Sequence, residues 1–295
     1  MRRCPWVLAV VVATACRREP EAKRAPEGTS AAPETGTLAL PEGFVEPRGR
    51  GDDAIPSPAR SLWIGPKAVR LEPRGKSIVD VPEDAVGGFP AETKDHGAVG
   101  LLVKPIASEL GRVTGGKLVL HFDARTTYRV LLEVAFTAGQ QGFDDLSFAV
   151  RKADGGEGAV RIVLVRPEKL EKLKPLSAEL DAASPTQECQ VNPAVIVGSD
   201  GYFVKANGAR IAPGCDGLGK GTTLPRRAGK LEPQALTACL AKIRDASKCS
   251  EPERSISFTA NPDVDMQSLV DTMDAVRRDG TGKALYPDLV LTVMH

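Results

Sequence analysis

The chain has 295 residues, with 39 Lys and Arg against 38 Asp and Glu, a formal net charge of +1. That balance, with aromatics at only 4%, excludes a nucleic-acid binder, which needs a basic surface and rings on which bases stack. The 3 histidines, His96, His121 and His295, lie far apart, so no multi-histidine metal site and no cofactor is expected. Hydrophobic residues at 42% suffice for a core, and the length allows one large domain or two of about 100–150 residues. Gly 29 and Pro 23 predict many turns and at least one loose segment.

Residues 1–16 read as an export signal. Arg2 and Arg3 precede an apolar run from Trp6 to Ala15, 10 residues long. A membrane span needs about 20, whereas a secretory signal fits. The run ends in Ala13-Thr14-Ala15-Cys16, which resembles a bacterial lipobox. It implies that Cys16 is lipidated and becomes the N-terminus, with Cys4 removed. Ala13 stands where such motifs usually carry Leu, and plain cleavage after Ala15 is the other reading. Residues 17–59 are rich in Pro, Gly and charge without apolar periodicity, and read as a flexible tether. Arg50-Gly51-Asp52 is an adhesion tripeptide by letter only.

The remainder divides at a charged connector, 169–187, into segments 60–168 and 188–295. Both show the same order of patterns: two strands, helix, strand, helix, strand. In the second, Ser255–Ala260 alternates apolar and polar. Met266, Leu269, Val270, Met273 and Val276 then recur at helical spacing, and Leu289–Val293 closes. In the first, Leu118, Leu120 and Phe122 mark a strand. Tyr128, Leu131, Leu132, Ala135 and Phe136 mark a helix, and Asp145–Val150 closes. An earlier helix is predicted from Pro105 to Val113 and from Leu236, Cys239, Leu240 and Ile243. Hairpins are predicted at Ser61–Ile64 with Ala68–Glu72, and at Ala194–Gly198 with Tyr202–Ile211. Phe122-Asp123-Ala124 aligns with Phe258-Thr259-Ala260, and Asp145-Leu146 with Asp288-Leu289. The expected fold class is α+β, as two small two-layer domains, each a ββαβαβ sheet with helices on one face.

Asp263-Val264-Asp265 and the helix Leu269-Val270-Asp271-Thr272-Met273-Asp274-Ala275-Val276-Arg277 resemble the ExbD/TolR biopolymer-transport family. The run Leu131–Gln140 followed by Gly142-Phe143 is similar to a variant of that helix. The resemblance covers both folded segments. Family members begin with a transmembrane helix carrying an Asp that takes part in proton flow. No 20-residue apolar span occurs here, and the signal's apolar run holds no acid, so that role does not carry over. What the resemblance implies is the periplasmic module, present twice. It implies envelope partners of ExbB/ExbD/TonB or Tol type or peptidoglycan, and an intramolecular pseudo-dimer.

Cys189, Cys215, Cys239 and Cys249 all fall in the second segment, and an even number in an exported domain suggests two disulfides. Three connectivities exist. Cys215–Cys239 would pin the Gly-rich loop to a helix, and Cys189–Cys249 would tie the start of a strand to that helix's end. Zinc is the rival, but no CxxC pair supports it. Gly214–Thr223 is the one tempting phosphate loop, yet its Gly-Lys-Gly-Thr lacks the Walker spacing. Asp144/Asp145, Asp263/Asp265 and Asp271/Asp274 could serve an envelope hydrolase acting on glycan or peptide. They read more simply as helix-start residues and a solvated helix face. No G-x-S-x-G elbow is present. The expected function is therefore a non-catalytic envelope lipoprotein, periplasmic and lipid-anchored, that binds partners.

Overall fold

The Trp63 and Ile196 strands begin a mixed α+β architecture around one twelve-stranded sheet. The computed structural model describes residues 40–72, 75–113, 116–143, 145–164, 191–247 and 253–292. The signal, Cys4, Cys16, Cys189, Cys249 and the 169–187 connector lie outside the described residues.

The strands are β1 (Arg60–Ile64), β2 (Ala68–Leu71), β3 (Ser77–Asp80), β4 (Lys117–Phe122), β5 (Asp145–Arg151) and β6 (Glu157–Leu164). They continue as β7 (Ala194–Val197), β8 (Gly201–Ala206), β9 (Ala209–Arg210), β10 (Leu224–Pro225), β11 (Ser255–Ala260) and β12 (Asp288–Leu291). The α-helices described are α1 (Lys104–Leu110), α2 (Tyr128–Gln140), α3 (Pro233–Ala246) and α4 (Met266–Arg277). Sheet order is β10-β8-β7-β11-β12-β6-β5-β4-β1-β2-β3, with β9 paired to β8. Among the described residues no helix is long and apolar enough to cross a membrane.

The two halves repeat one strand pattern. In the first, β2 pairs antiparallel with β1, β1 parallel with β4, and β4 parallel with β5. In the second, β8, β7, β11 and β12 do the same. Register repeats as well. Gly65 N–H bonds Ala68 O at 3.0 Å, and Gly198 N–H bonds Gly201 O at 2.8 Å. Asp123 N–H bonds Ile64 O at 2.9 Å, and Asn261 N–H bonds Val197 O at 2.8 Å. Asp145 faces Lys117 as Asp288 faces Ser255, which agrees with the alignment of those two acids.

The other alignment is corrected. Because Asp123 matches Asn261, Phe122 matches Ala260 and not Phe258. Side chains in a strand alternate with period two, so a slip of two residues keeps every apolar position facing inward and leaves the pattern unchanged.

The sequence led to two separate sheets, over 60–168 and 188–295. In the structure both segments enter one sheet, within one compact unit spanning Leu38–His295. The reason is β6, which was not foreseen. It pairs antiparallel with β5 on one side and parallel with β12 on the other. The hydrophobic core is accordingly continuous from Leu62 to Leu291.

Alternation sets the layers. Leu118, Leu120 and Phe122 join the cluster that holds Leu131, Val134 and Ala135 of α2, whereas His121, also buried, stacks on Trp63 outside it. Helix α2 was expected to bury one face. It is buried nearly all round, with only Phe136 half-exposed in its middle. The outer side is covered by residues 85–103, held by Glu133. That carboxylate is fully buried and accepts from Phe89 N at 2.7 Å, Lys94 Nζ at 2.8 Å and Arg129 Nε at 2.7 Å. Gly88 makes this possible: with φ of +77°, its Cβ would stand 2.4 Å from the Glu133 carboxylate. In α4 the expected stripe is the observed one, since Met266, Leu269, Val270, Met273 and Val276 are all buried.

Candidate interface at the seam of the two halves

Helices α2 and α4 start at matched positions, and their starts touch. Thr127 and Asp265, the N-cap residues, form an antiparallel bridge. Tyr128 N–H bonds Val264 O at 2.7 Å, Arg129 N–H bonds Pro262 O at 3.1 Å, and Gln267 N–H bonds Ala124 O at 3.1 Å. An antiparallel bridge is two-fold symmetric, so matched residues facing across one define a local two-fold relation. Asp265 also caps its own helix, accepting from Ser268 N at 2.8 Å, as its place in the sequence suggested.

Across this seam runs a strap, residues 43–53, which corrects the expectation of a flexible tether out to residue 59. Phe44, Glu46 and Pro47 are buried. Val45 N–H donates to Asp123 Oδ2 at 2.9 Å, and Ala124 N–H to Val45 O at 2.7 Å. Arg48 exchanges two bonds with the Gln267 amide, at 2.7 and 2.8 Å. Arg151 N–H bonds Pro47 O, and Gly49 N–H bonds Arg151 O, which extends the sheet beside β5. Asp53 exchanges two backbone bonds with Ala159 of β6. Between these points the strap crosses the β5–β6 hairpin, and Gly49 lies against Val270 and Asp274 of α4. The low local hydrophobicity that suggested a tether is therefore satisfied by neighbours distant in sequence, chiefly through the strap's backbone.

The charges of the seam are arranged for this strap. Asp53 accepts from Arg277 Nη2 at 2.7 Å, and Asp52 from Arg278 Nε at 2.6 Å. Glu46 accepts from Arg151 Nε at 2.7 Å. Asp274 Oδ2 accepts from Arg50 N at 2.7 Å. The Arg50-Gly51-Asp52 tripeptide is thus engaged within the fold. Burial pushes the Asp274 carboxyl above its ordinary range, against the opposing pull of the Arg50 N–H bond. Burial raises Asp271 as well, opposed by its bond from Gln267. Asp274 Oδ1, Glu46 Oε1 and Arg277 Nη1 are buried without a hydrogen-bond partner among the described residues. The reading of Asp274 as a solvated position is corrected, because the strap covers it. For Asp123, burial pushes upward, but bonds from Arg125, Val45 N and Arg125 N outweigh it and hold the carboxyl below its usual range.

The remaining expected positions are dispersed. Asp263 is exposed. Asp145 pairs with Arg161 at 3.2 Å, and Asp144 lies outside the described residues. In the Gly-rich loop, Cys215 is joined to Cys239 of α3 by a disulfide across 24 residues, the first of the two expected pairings. Lys242 pairs with Asp216 over the same loop. Thr223 is fully buried, accepting from Val204 N at 3.0 Å and donating to Ile211 O at 2.8 Å. Its hydroxyl is therefore committed to the fold rather than to a phosphate. Among the described residues no group of three or more His, Cys, Asp or Glu is placed to hold a metal ion.

The chain matches no protein-family model, no curated protein and no solved structure.

Sequence reasoning missed three parts of the fold. β6 carried a readable signal, since Asp154-Gly155-Gly156 is turn chemistry followed by the apolar-rich run Ala159–Leu164. Gln267 and Glu133 each have an i, i+4 partner, Asp271 and Arg129, but the partners that matter most, Arg48 and Lys94 with Phe89, lie 219 and 39 to 44 residues away and left no local signal.

Proposed function

We propose that this chain is a non-catalytic lipoprotein of the bacterial cell envelope, held to a membrane through Cys16, with its folded part in the periplasm. Two ExbD/TolR-like ββαβαβ modules, joined as an intramolecular pseudo-dimer, bind proteins of an ExbB/ExbD/TonB or Tol-type system, or peptidoglycan. The observation that carries this reading is the repeated strand order and register of the two halves, with matched residues Thr127 and Asp265 facing across the seam. The strap adds support. Residues 43–53, which precede the first strand in the sequence, are bonded to both halves at the seam.

Affinity recovery of the full chain from crosslinked envelopes tests the reading. An ExbB-, ExbD- or TonB-like protein, or a peptidoglycan fragment, is the expected companion, and recovery of none of these rejects it. Loss of membrane association in Cys16→Ser tests the anchor. A molar mass equal to one chain fits the pseudo-dimer, whereas a stable dimer of the full chain opposes it.

A further inference from the structure

A second feature stands apart from the seam's polar contacts. Beneath the first turn of the strap lies a cavity of about 530 Å³, bordered by Glu42, Trp63, Lys67, Arg70 and Arg125, with Pro41 and Pro66 at its rim. That size suits a small organic molecule.

The side chains come together for topological reasons. Trp63 of β1 sits opposite Arg70 of β2 and beside His121 of β4, so these three share the sheet face turned away from the helices. The Trp63 ring stacks flat on His121, centroids 3.9 Å apart, and Phe44 closes on it at 5.4 Å. Trp63 is only 2% exposed, and its indole N–H has no hydrogen-bond partner among the described residues. The strap forms the roof: Phe44 N–H bonds Pro41 O at 3.0 Å, and Arg125 Nη2 bonds Gly43 O at 2.7 Å.

Charge defines what would fit. Arg125 is fixed by Asp123, at 2.7 and 2.9 Å, and acts as a positioned positive wall. Lys67 and Arg70 have side chains without an ion pair or hydrogen bond among the described residues. With Arg125 balanced by Asp123, Lys67 and Arg70 against Glu42 still leave the lining net positive. A guanidinium fork matches a planar carboxylate, and Pro41 and Pro66 offer an apolar wall that a bare inorganic anion would not use.

We propose that this cavity is a binding site for a small organic carboxylate. Arg70 and Lys67 hold the carboxylate, and the apolar rim holds its body. Because residues 41–43 form the roof, an occupied site ties down the start of the strap.

Trp63 is its own reporter, since the chain has 2 tryptophans and the other is Trp6. The full chain carrying Trp6→Phe is titrated with N-acetylated amino acids and aliphatic dicarboxylates, with the matching amides and inorganic phosphate as controls. The expected result is saturable change in Trp63 emission with at least one carboxylate. Affinity should be at least tenfold weaker in Lys67→Gln/Arg70→Gln at unchanged thermal midpoint. The proposal is overturned if no carboxylate saturates, if the amides or phosphate bind as well, or if the double variant binds equally. Should that variant unfold, single Arg70→Lys serves instead, with the same weakening expected and equal binding overturning the assignment.

Discussion

Gly51 and Gly158 cross in direct backbone contact. A Cβ on Gly158 would stand 2.4 Å from Gly51 O, and one on Gly51 would stand 2.8 Å from Gly158 Cα. The strap can pass over the β5–β6 hairpin only because neither residue has a side chain. Gly158→Ala is expected to cost about 1–3 kcal/mol, as overfilling a tight contact does. The thermal midpoint should fall, and amide exchange should quicken at residues 47–53 before it does in α2. An unchanged midpoint with unchanged exchange would show that the crossing is not a tight contact.

Asp123 clamps the beginning of the strap. Its carboxylate is almost fully buried and accepts from Val45 N, Arg125 N and the Arg125 guanidinium. The side-chain bond from Arg125 contributes most to lowering it, followed by the backbone bonds from Val45 and Arg125, and because Arg125 is largely exposed its charge alone adds less. Asp123→Ala should cost about 1.5–3 kcal/mol. The folded carboxyl sits below its ordinary range, so its stabilisation is present above that range and is lost as pH falls through the folded value. Asp123→Asn should flatten the loss of stability in strong acid, measured by chemical denaturation at a series of pH values.

His121 acts at milder pH. Burial holds its imidazole at about 4, against an ordinary 6.5. The unfolded chain therefore takes up a proton that the folded chain refuses. Stability should be fully present above pH 6.5, fall by about 3 kcal/mol as pH drops to about 4, and change no further from this source. His121→Phe keeps a ring against Trp63 and removes the proton. The difference between variant and parent in unfolding free energy should then slope across that window, and a flat difference would exclude His121 as its source.

The Cys215–Cys239 bond closes a loop spanning 24 residues and should contribute about 3 kcal/mol by restricting the unfolded chain. Cys239→Ser should lower stability by that order and loosen Gly214–Thr223 against α3. Alkylation followed by peptide mass mapping of the unreduced protein should find neither Cys215 nor Cys239 modified. Labelling of either one without reductant removes the bond from the account.

The sequence was readable where contacts are local and periodic. The α4 stripe, the β7–β8 hairpin at Ser199-Asp200-Gly201, and the acids opening β5 and β12 all lie where spacing and turn chemistry indicate. It was unreadable where two answers share one pattern. Phe122 and Phe258 both point inward, and period-two alternation cannot choose between registers two apart. The strap failed for another reason. Residues 43–53 are held by backbone bonds and by Asp123, Gln267, Asp274 and Arg277, which composition alone does not connect to them. The seam was therefore the least visible part of the molecule.

β6 has no counterpart in the repeated pattern, yet it lies between the two halves. It runs antiparallel to β5 and parallel to β12, so the two-fold relation at Thr127 and Asp265 does not extend through the sheet at β6. Each half has its inner edge filled by the same strand from opposite sides. Among the described residues the outer strands of the sheet are β3 on one flank and β10 on the other. A partner that approaches along the sheet therefore meets two unlike ends.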